Sequence, residues 1–393
     1  MNKKISLGMA LCLVLIAIAL SFQLTYTYLN AKYTEALTFR DDTIASYEKL
    51  YNFDHTVKEN YIGEIDDAKV MDGILKGYMS GLGDKYGIYY TAEEYEKLIL
   101  EMKGQIIGIG VSARHNAELN VLEVVKVYEG SPAETAGIKA GYYITGADGV
   151  LISEDGYDAL TDAIGGKEGT KVTLTVTDTD GKVSELVITR AVVEYSSVDS
   201  RVTEDIAIVT ISEFNKRTYR EFKSEMDALR ASGIKNFIFD LRNNLGGDLD
   251  AIVDVLDYIL PEGPIVRLYS KNGEEEIHSS DKVCLEANVC VLINEYTASA
   301  AELFAAAIKD YKYGTLIGTI TYGKGTAQSV MQLPDGSGLR LSTEMYLPPY
   351  SDNYEGEGVS PDIRVEYEAG EDGAEDSQMS AAIEKINEMK SED

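Results

Sequence analysis

The 393-residue sequence predicts a multidomain chain: an N-terminal transmembrane helix, a helical arm, a β-rich module and an α/β core. Three observations predict it. Residues 5–24 are a charge-free, mostly apolar run, and about 20 such residues span a bilayer as a helix. From Gly104 the hydrophobic period switches from the three-and-four spacing of helices to the alternation of strands. From Ser196 short, continuously apolar runs alternate with helical spacings, the mark of strands buried on both faces of a parallel sheet. Composition agrees, since 45% hydrophobic and 26% charged residues are ordinary for a folded protein. The net charge of −30 excludes nucleic acid as a partner, because its phosphates would be repelled.

Lys3 and Lys4 precede the apolar run, so the short tail is expected in the cytoplasm and the bulk of the chain outside. Residues 1–30 then form tail and anchor in the cell membrane, with residues 5–27 in the bilayer. A cleaved signal peptide is the rival reading, although Ala19-Leu20-Ser21 is a poor cleavage site. Cys12 lies in mid-run, where a lipoprotein cysteine would not. Residues 31–102 read as a helical region, with apolar residues at helical spacing over 33–51 and 70–81. Residues 81–87 are a turn cluster rich in glycine, and Thr91 reads as an N-cap ahead of an acidic first turn, Glu93 and Glu94. A stalk, a packing arm and a dimer contact are all open for this region.

Residues 103–192 hold short alternating strands separated by Gly and Asp turns, with two short helical pieces at 131–141 and 157–166. Gly108-Ile109-Gly110-Val111, Ser131-Pro132-Ala133, Ala136-Gly137-Ile138, Gly141 and Asp148-Gly149 resemble a PDZ domain in the circularly permuted form of bacterial proteases. Tyr142 stands where that pattern has Asp. The resemblance implies that a peptide C-terminus adds as an extra strand, its carboxylate held by the backbone at Ile109, Gly110 and Val111. A β-rich spacer without a ligand is the bland alternative.

Residues 193–369 form the α/β core. One buried strand ends at Asp240 and Leu241 in the turn Arg242-Asn243-Asn244-Leu245-Gly246-Gly247-Asp248, where glycines let backbone N–H groups approach a ligand. A second apolar run, 289–293, ends in Asn294-Glu295-Tyr296-Thr297, and Ser299 opens an alanine-rich helix. A strand breaking sharply into a helix can present a nucleophile, although a serine at a helix start is ordinarily just a cap. Serine needs a base. His55, His115 and His278 are scattered, and only His278 stands as a rival for that role. Lys324, between Gly323 and Gly325, can serve if burial lowers its pKa, against the bland reading of an exposed hairpin lysine. Residues 318–324 fit the start of a phosphate-binding loop, but Gly325 replaces the hydroxyl that would hold magnesium and a strand follows. Cys284 and Cys290 lack the partners of a metal site; two buried thiols are expected, with a disulfide as the alternative. Residues 370–393 are an acidic tail and a short helix.

Residues 240–247, 297–302 and 322–328, with the PDZ pattern ahead of them, resemble the carboxyl-terminal processing proteases, a family of Ser-Lys endopeptidases. Leu245 replaces a frequent proline and Ala301 a serine. The resemblance implies a crotonase- or ClpP-like α/β core with Ser299 as nucleophile, Lys324 as general base and Gln328 orienting the lysine amine. It implies an oxyanion hole from the N–H groups of Ala300, at a helix N-terminus, and Gly246. It calls for no metal and no cofactor. Expected partners are proteins or peptides with apolar C-termini, and a second copy of the chain through the arm and the C-terminal helix. The alternative is a catalytically silent PDZ scaffold.

Overall fold

The structure, a computed structural model, describes residues 7–117, 119–370 and 374–392. The chain divides into two compact units after Ile74. The first holds helix α1 (Leu7–Asn60) and the start of α2 (Asp67–Leu82). Residues 25–60 contain no glycine or proline, so nothing separates the apolar run from the arm and they fuse into one 54-residue helix. The expected transmembrane helix falls at the start of it; among the described residues, no helix is long and apolar enough to cross a membrane. Residues 1–6, with Lys3 and Lys4, and the side chain of Cys12 lie outside the described residues.

The second unit begins within α2 and continues through β1 (Ile88–Tyr90) and α3 (Ala92–Met102). Thr91 caps α3 as its sequence requires: its hydroxyl accepts the Glu94 N–H, and the Glu94 carboxylate accepts the Thr91 N–H.

A β-module follows, comprising β2 (Gln105–Gly108), β3 (Val111–Asn116), β4 (Val121–Val127), α4 (Pro132–Thr135), β5 (Tyr143–Ala147), β6 (Val150–Leu151), α5 (Ile152–Asp155), α6 (Tyr157–Ile164), β7 (Lys171–Thr177), β8 (Val183–Thr189) and β9 (Ala191–Glu194). Its main sheet runs β3-β4-β5-β7-β8, antiparallel throughout, with β3 at one edge. Alternation in β7 sends Val172, Leu174 and Val176 inward onto Leu160 of α6. The buried Arg190 guanidinium donates to the carbonyls of Ala163 and Ile164, satisfying the last turn of α6. Entry and exit strands β2 and β9 pair with each other in a separate two-stranded ribbon.

The α/β core comprises β10 (Val198–Thr203), β11 (Ile206–Ile211), α7 (Thr218–Ala231), β12 (Asn236–Asp240), α8 (Leu249–Ile259), β13 (Gly263–Ser270), β14 (Glu275–Ser280), β15 (Asn288–Ile293), α9 (Ala300–Asp310), β16 (Thr315–Gly318), β17 (Thr326–Gln332), β18 (Gly338–Leu347), β19 (Ile363–Arg364) and α10 (Ser377–Glu392). One sheet runs β10-β11-β12-β15-β16-β19, parallel from β11 onward. Its alternate residues serve two cores. Ala207, Val209 and Ile211 pack with α7, α8 and α9, whereas Ile206, Ile208 and Cys290 pack under Met379, Ala382 and Ile386 of α10. The second sheet is antiparallel, ordered β1-β18-β13-β14 with β17 also on β18. Its strand β1 comes from ahead of the β-module, so the core closes around an insertion. Cys284 and Cys290 are free thiols.

Candidate active site

The β15–α9 turn and the β12–α8 turn lie side by side and are laced together. The Asn243 N–H donates to Asn294 Oδ1 at 3.0 Å, Asn294 Nδ2 donates to Asn243 Oδ1 at 3.0 Å, and the Ala298 N–H donates to the Asn244 carbonyl at 2.9 Å. Thr297 Oγ1 donates to the Leu241 carbonyl at 2.9 Å. This lacing brings Gly246 against Ser299. A Cβ on Gly246 would stand 2.8 Å from Ser299 Cβ and 2.7 Å from the Ala298 carbonyl oxygen, and its φ is 93°. Only glycine fits both the space and the backbone.

Ser299 is at the cap position of α9, with φ 56° and ψ −119°. A non-glycine residue there stores about 1–3 kcal/mol of strain. Ser299 and Glu302 form a capping box at this helix start, so the reading of a helix cap describes its place. The buried Tyr346 phenol, pushed up to about 12 by burial, is drawn partly back by a hydrogen bond with the Ser299 side chain. The Ala300 N–H, at the helix N-terminus, has no hydrogen-bond partner among the described residues. The Gly246 N–H is engaged with Asn244 Oδ1 at 2.8 Å. Of the two expected oxyanion donors, one is open in this conformation and the other is occupied.

Residues 300–308 of α9 are all buried, and Glu302 is the charged one among them. Its carboxylate is fully buried and accepts four hydrogen bonds. Oε2 takes the Ser299 N–H and the Lys324 N–H, each at 2.8 Å. Oε1 takes the Gly323 N–H at 2.6 Å and the Thr321 hydroxyl at 2.5 Å. One oxygen thus holds the backbones of Ser299 and Lys324, placing their nitrogens no more than twice that distance apart. Sequence reading gave Glu302 no role, although Ser299 followed by Glu302 at the third position is the signature of a capping box.

The Lys324 side chain is half-buried. Burial lowers its pKa to about 8; Arg340 adds to the depression, and Glu355, Glu302 and Asp84 oppose it. Among the described residues its ammonium makes no ion pair and no side-chain hydrogen bond; it sits 4.8 Å from the centroid of the Tyr86 ring. Gln328 is on β17 beside a bulge between Ala327 and Gln328. Its Nε2 donates to the Thr326 carbonyl, Thr326 Oγ1 and Ser342 Oγ at 2.9, 3.1 and 3.3 Å, and not to Lys324. Backbones of serine and lysine are therefore joined, while the side chains of lysine and glutamine are not. His278, the rival base, is on β14 beside Glu276.

In the β-module, Ile109, Gly110 and Val111 form the passage from β2 into β3. Gly110 has φ 84°, and a Cβ there would stand 2.3 Å from Ser131 Cβ. The Ile109 and Gly110 carbonyls accept the N–H groups of Ala133 and Tyr128. The rings of His115 on β3 and Tyr157 on α6 stack at 5.1 Å, setting the helix beside the edge strand.

A β-module inserted ahead of an α/β core with a buried serine turn defines a PDZ-bearing serine protease, and the comparisons agree. Residues 205–365 match peptidase family S41, and residues 123–178 match a PDZ domain. The chain is 30% identical over 329 residues to a CtpA-like serine protease of Staphylococcus saprophyticus, covering 83% of this chain and 66% of that one. It is 30% identical over 332 residues to a carboxy-terminal-processing protease of Bartonella bacilliformis, covering 82% and 76%. In fold it is similar to an S41 structure from Bacteroides fragilis, with TM-score 0.52 and 17% identity over 72% of this chain and 84% of that one. The chain belongs to peptidase family S41, the carboxy-terminal-processing serine proteases.

Proposed function

We propose that the chain is an endopeptidase in which Ser299 attacks, Lys324 moves the proton and Gln328 orients the lysine, while residues 103–192 read substrate C-termini. The observation that carries this reading is the Glu302 carboxylate, which holds the Ser299 and Lys324 backbones on one oxygen. Neutral Lys324 takes the Ser299 hydroxyl proton as Oγ bonds to the peptide carbonyl carbon. The Ala300 N–H meets the developing oxyanion at the positive end of α9, joined by the Gly246 N–H once it leaves Asn244. The tetrahedral species then breaks its C–N bond, and the lysine ammonium returns the proton to the departing amine. Lys324, neutral again, deprotonates the water that hydrolyses the acyl-enzyme.

Substrates are proteins or peptides with apolar C-termini, received at Ile109, Gly110 and Val111 along the edge of β3. The exposed Leu13, Val14, Ile16, Ile18, Leu20, Phe22 and Leu24 of α1 support membrane attachment through the N-terminal segment, with the protease outside the cytoplasm. Pairing of two copies belongs to the same reading, through the arm and α10.

The test uses the chain without residues 1–30, incubated with an unfolded protein and with an apolar-tailed peptide. Cleavage lost in both Ser299→Ala and Lys324→Ala is the expected result. Cleavage retained in Lys324→Ala but lost in His278→Ala would move the base to the histidine. Absence of cleavage across substrates and pH, with tail binding intact, would make the chain a scaffold. Attachment is checked by vesicle flotation of the full chain, which should be lost with residues 1–30.

A further inference from the structure

The Gly83–Gly87 turn, far from the site in sequence, reaches the base side of the site with two side chains. Tyr86 places its ring under the Lys324 ammonium, and its hydroxyl donates to Glu355 Oε1 at 3.3 Å. Asp84 addresses β18: Oδ2 accepts the Ser342 N–H at 2.8 Å, and Oδ1 accepts the Ser342 hydroxyl at 2.9 Å and the Tyr86 N–H at 3.0 Å.

These bonds have a consequence for Gln328. A serine hydroxyl has one proton, and Ser342 gives it to Asp84. Toward Gln328 the Ser342 oxygen can therefore only accept, so the amide must turn its NH2 that way. It does: Nε2 donates to Ser342 Oγ and to both acceptors of Thr326. With its nitrogen committed, the amide has only Oε1 left as a free polar function. A neutral lysine that must aim its lone pair at a serine proton needs its own N–H bonds held, and a carboxamide oxygen holds one. The bulge between Ala327 and Gln328 puts Gln328 opposite Ser342, making the chain of contacts possible.

We infer that Asp84 is a positioning residue of the catalytic base: through the Ser342 hydroxyl it fixes the Gln328 amide so that Oε1 is presented to the Lys324 amine. The inference rests on the Ser-Lys reading above. Hydrogen bonds from Ser342 and Tyr86 outweigh the effect of burial on Asp84 and hold its carboxyl below the usual range, so it stays an acceptor at neutral pH. Asp84 also acts on the lysine at a distance. Asp84, Glu302, Arg340 and Glu355 act on Lys324, the Lys85 ammonium shares the Tyr86 ring with it, and Asp84 is one of three carboxylates that hold up the lysine pKa against burial.

The test is peptide cleavage across pH by the full chain and by its Asp84→Asn, Ser342→Ala, double and Ser299→Ala variants, with thermal unfolding alongside. Asp84→Asn and Ser342→Ala should each lower kcat about 10- to 100-fold with little change in KM. The double variant should be no worse than either single one, since both break one chain of contacts. Asp84→Asn alone should move the acid limb of the rate profile to lower pH, because it removes a negative charge near the lysine; Ser342→Ala should leave that limb in place. Asp84→Glu should restore part of the rate. A structural role would lower the melting midpoint without splitting kcat from KM or shifting the limb, and that result overturns the inference. So do single variants whose kcat stays within about twofold of the parent. Should Asp84→Asn fail to fold, Ser342→Ala decides the matter by its kcat. Cleavage that survives Ser299→Ala would overturn the Ser-Lys reading and the inference with it.

Discussion

The serine side and the lysine side of the site are built in different ways. Around Ser299 backbone groups and short side chains interlock: Asn243, Asn244, Asn294, Thr297 and Ala298 lace two turns, Gly246 packs against the serine Cβ, and the Glu302 carboxylate fixes the serine N–H. Around Lys324 only the backbone is fixed. The ammonium rests on the Tyr86 ring, and Gln328 is held by Thr326 and Ser342. A cation on an aromatic face contributes about 0.5–2 kcal/mol, a small cost to move a lysine. Ser299 is held by two interlocked turns, while the Lys324 ammonium rests among side chains that can be repositioned.

Glu302 is where the two sides meet, and Glu302→Gln should break both. An amide cannot accept four hydrogen bonds and faces N–H groups with its own NH2. We expect a fall in kcat/KM of about 1,000-fold or more and a stability loss of about 3 kcal/mol, read by peptide cleavage and denaturant unfolding. Native activity in this variant would end the comparison. Gly246→Ala attacks the serine side alone. The added Cβ meets the Ala298 oxygen at 2.7 Å and the Ala300 nitrogen at 2.8 Å, both backbone atoms that cannot swing away. A loss of about 100-fold in kcat is expected, the scale of one oxyanion donor.

Gln328→Ala probes the lysine side and should cost about 10-fold in kcat with KM unchanged, measured under saturating peptide. A loss as large as that of Gly246→Ala would mean that the lysine side is no looser than the serine side.

The mildest probe is pH. Burial lowers Lys324 to about 8, and the proposed mechanism uses the neutral amine, so the rate should climb as pH rises through about 8 and level off above it. Stability carries the same sign. The unfolded lysine, at about 10.4, binds its proton more readily than the folded one, so the folded state is penalised below pH 8 and relieved as pH rises. Lys324→Met should therefore melt above the parent at pH 7, with the gap closing as pH rises from about 8 toward about 10. A gap that does not vary with pH would mean that the lysine is unperturbed.

The distribution of contacts explains what the sequence could tell. Ser299 and Lys324 could be placed because local features mark them: an apolar strand breaking into an alanine-rich helix, and a lysine between two glycines. Glu302 was legible in principle, since its spacing from Ser299 is that of a capping box, but a cap does not reveal that the same carboxylate also takes three donors from residues 321–324. The contacts of Gln328 were not legible, because they depend on a β-bulge and on Asp84, which no periodicity connects to β17. The apolar N-terminal run suggested a separate transmembrane helix because of its composition. The missing glycine and proline after it let α1 run on to Asn60. Strand β1 escaped because three residues are too few to show a period.

The ribbon of β2 and β9 has one more consequence. The Tyr195 N–H donates to the Gly104 carbonyl at 3.0 Å, so the ends of the PDZ insertion meet in the core. Removing residues 105–194 would leave two ends already in contact, and joining them would ask little loop-closure entropy of what remains. The protease body and its PDZ module are plug and socket. A different domain with neighbouring termini could be fitted at Gly104 and Tyr195 while the protease body keeps its own closed framework.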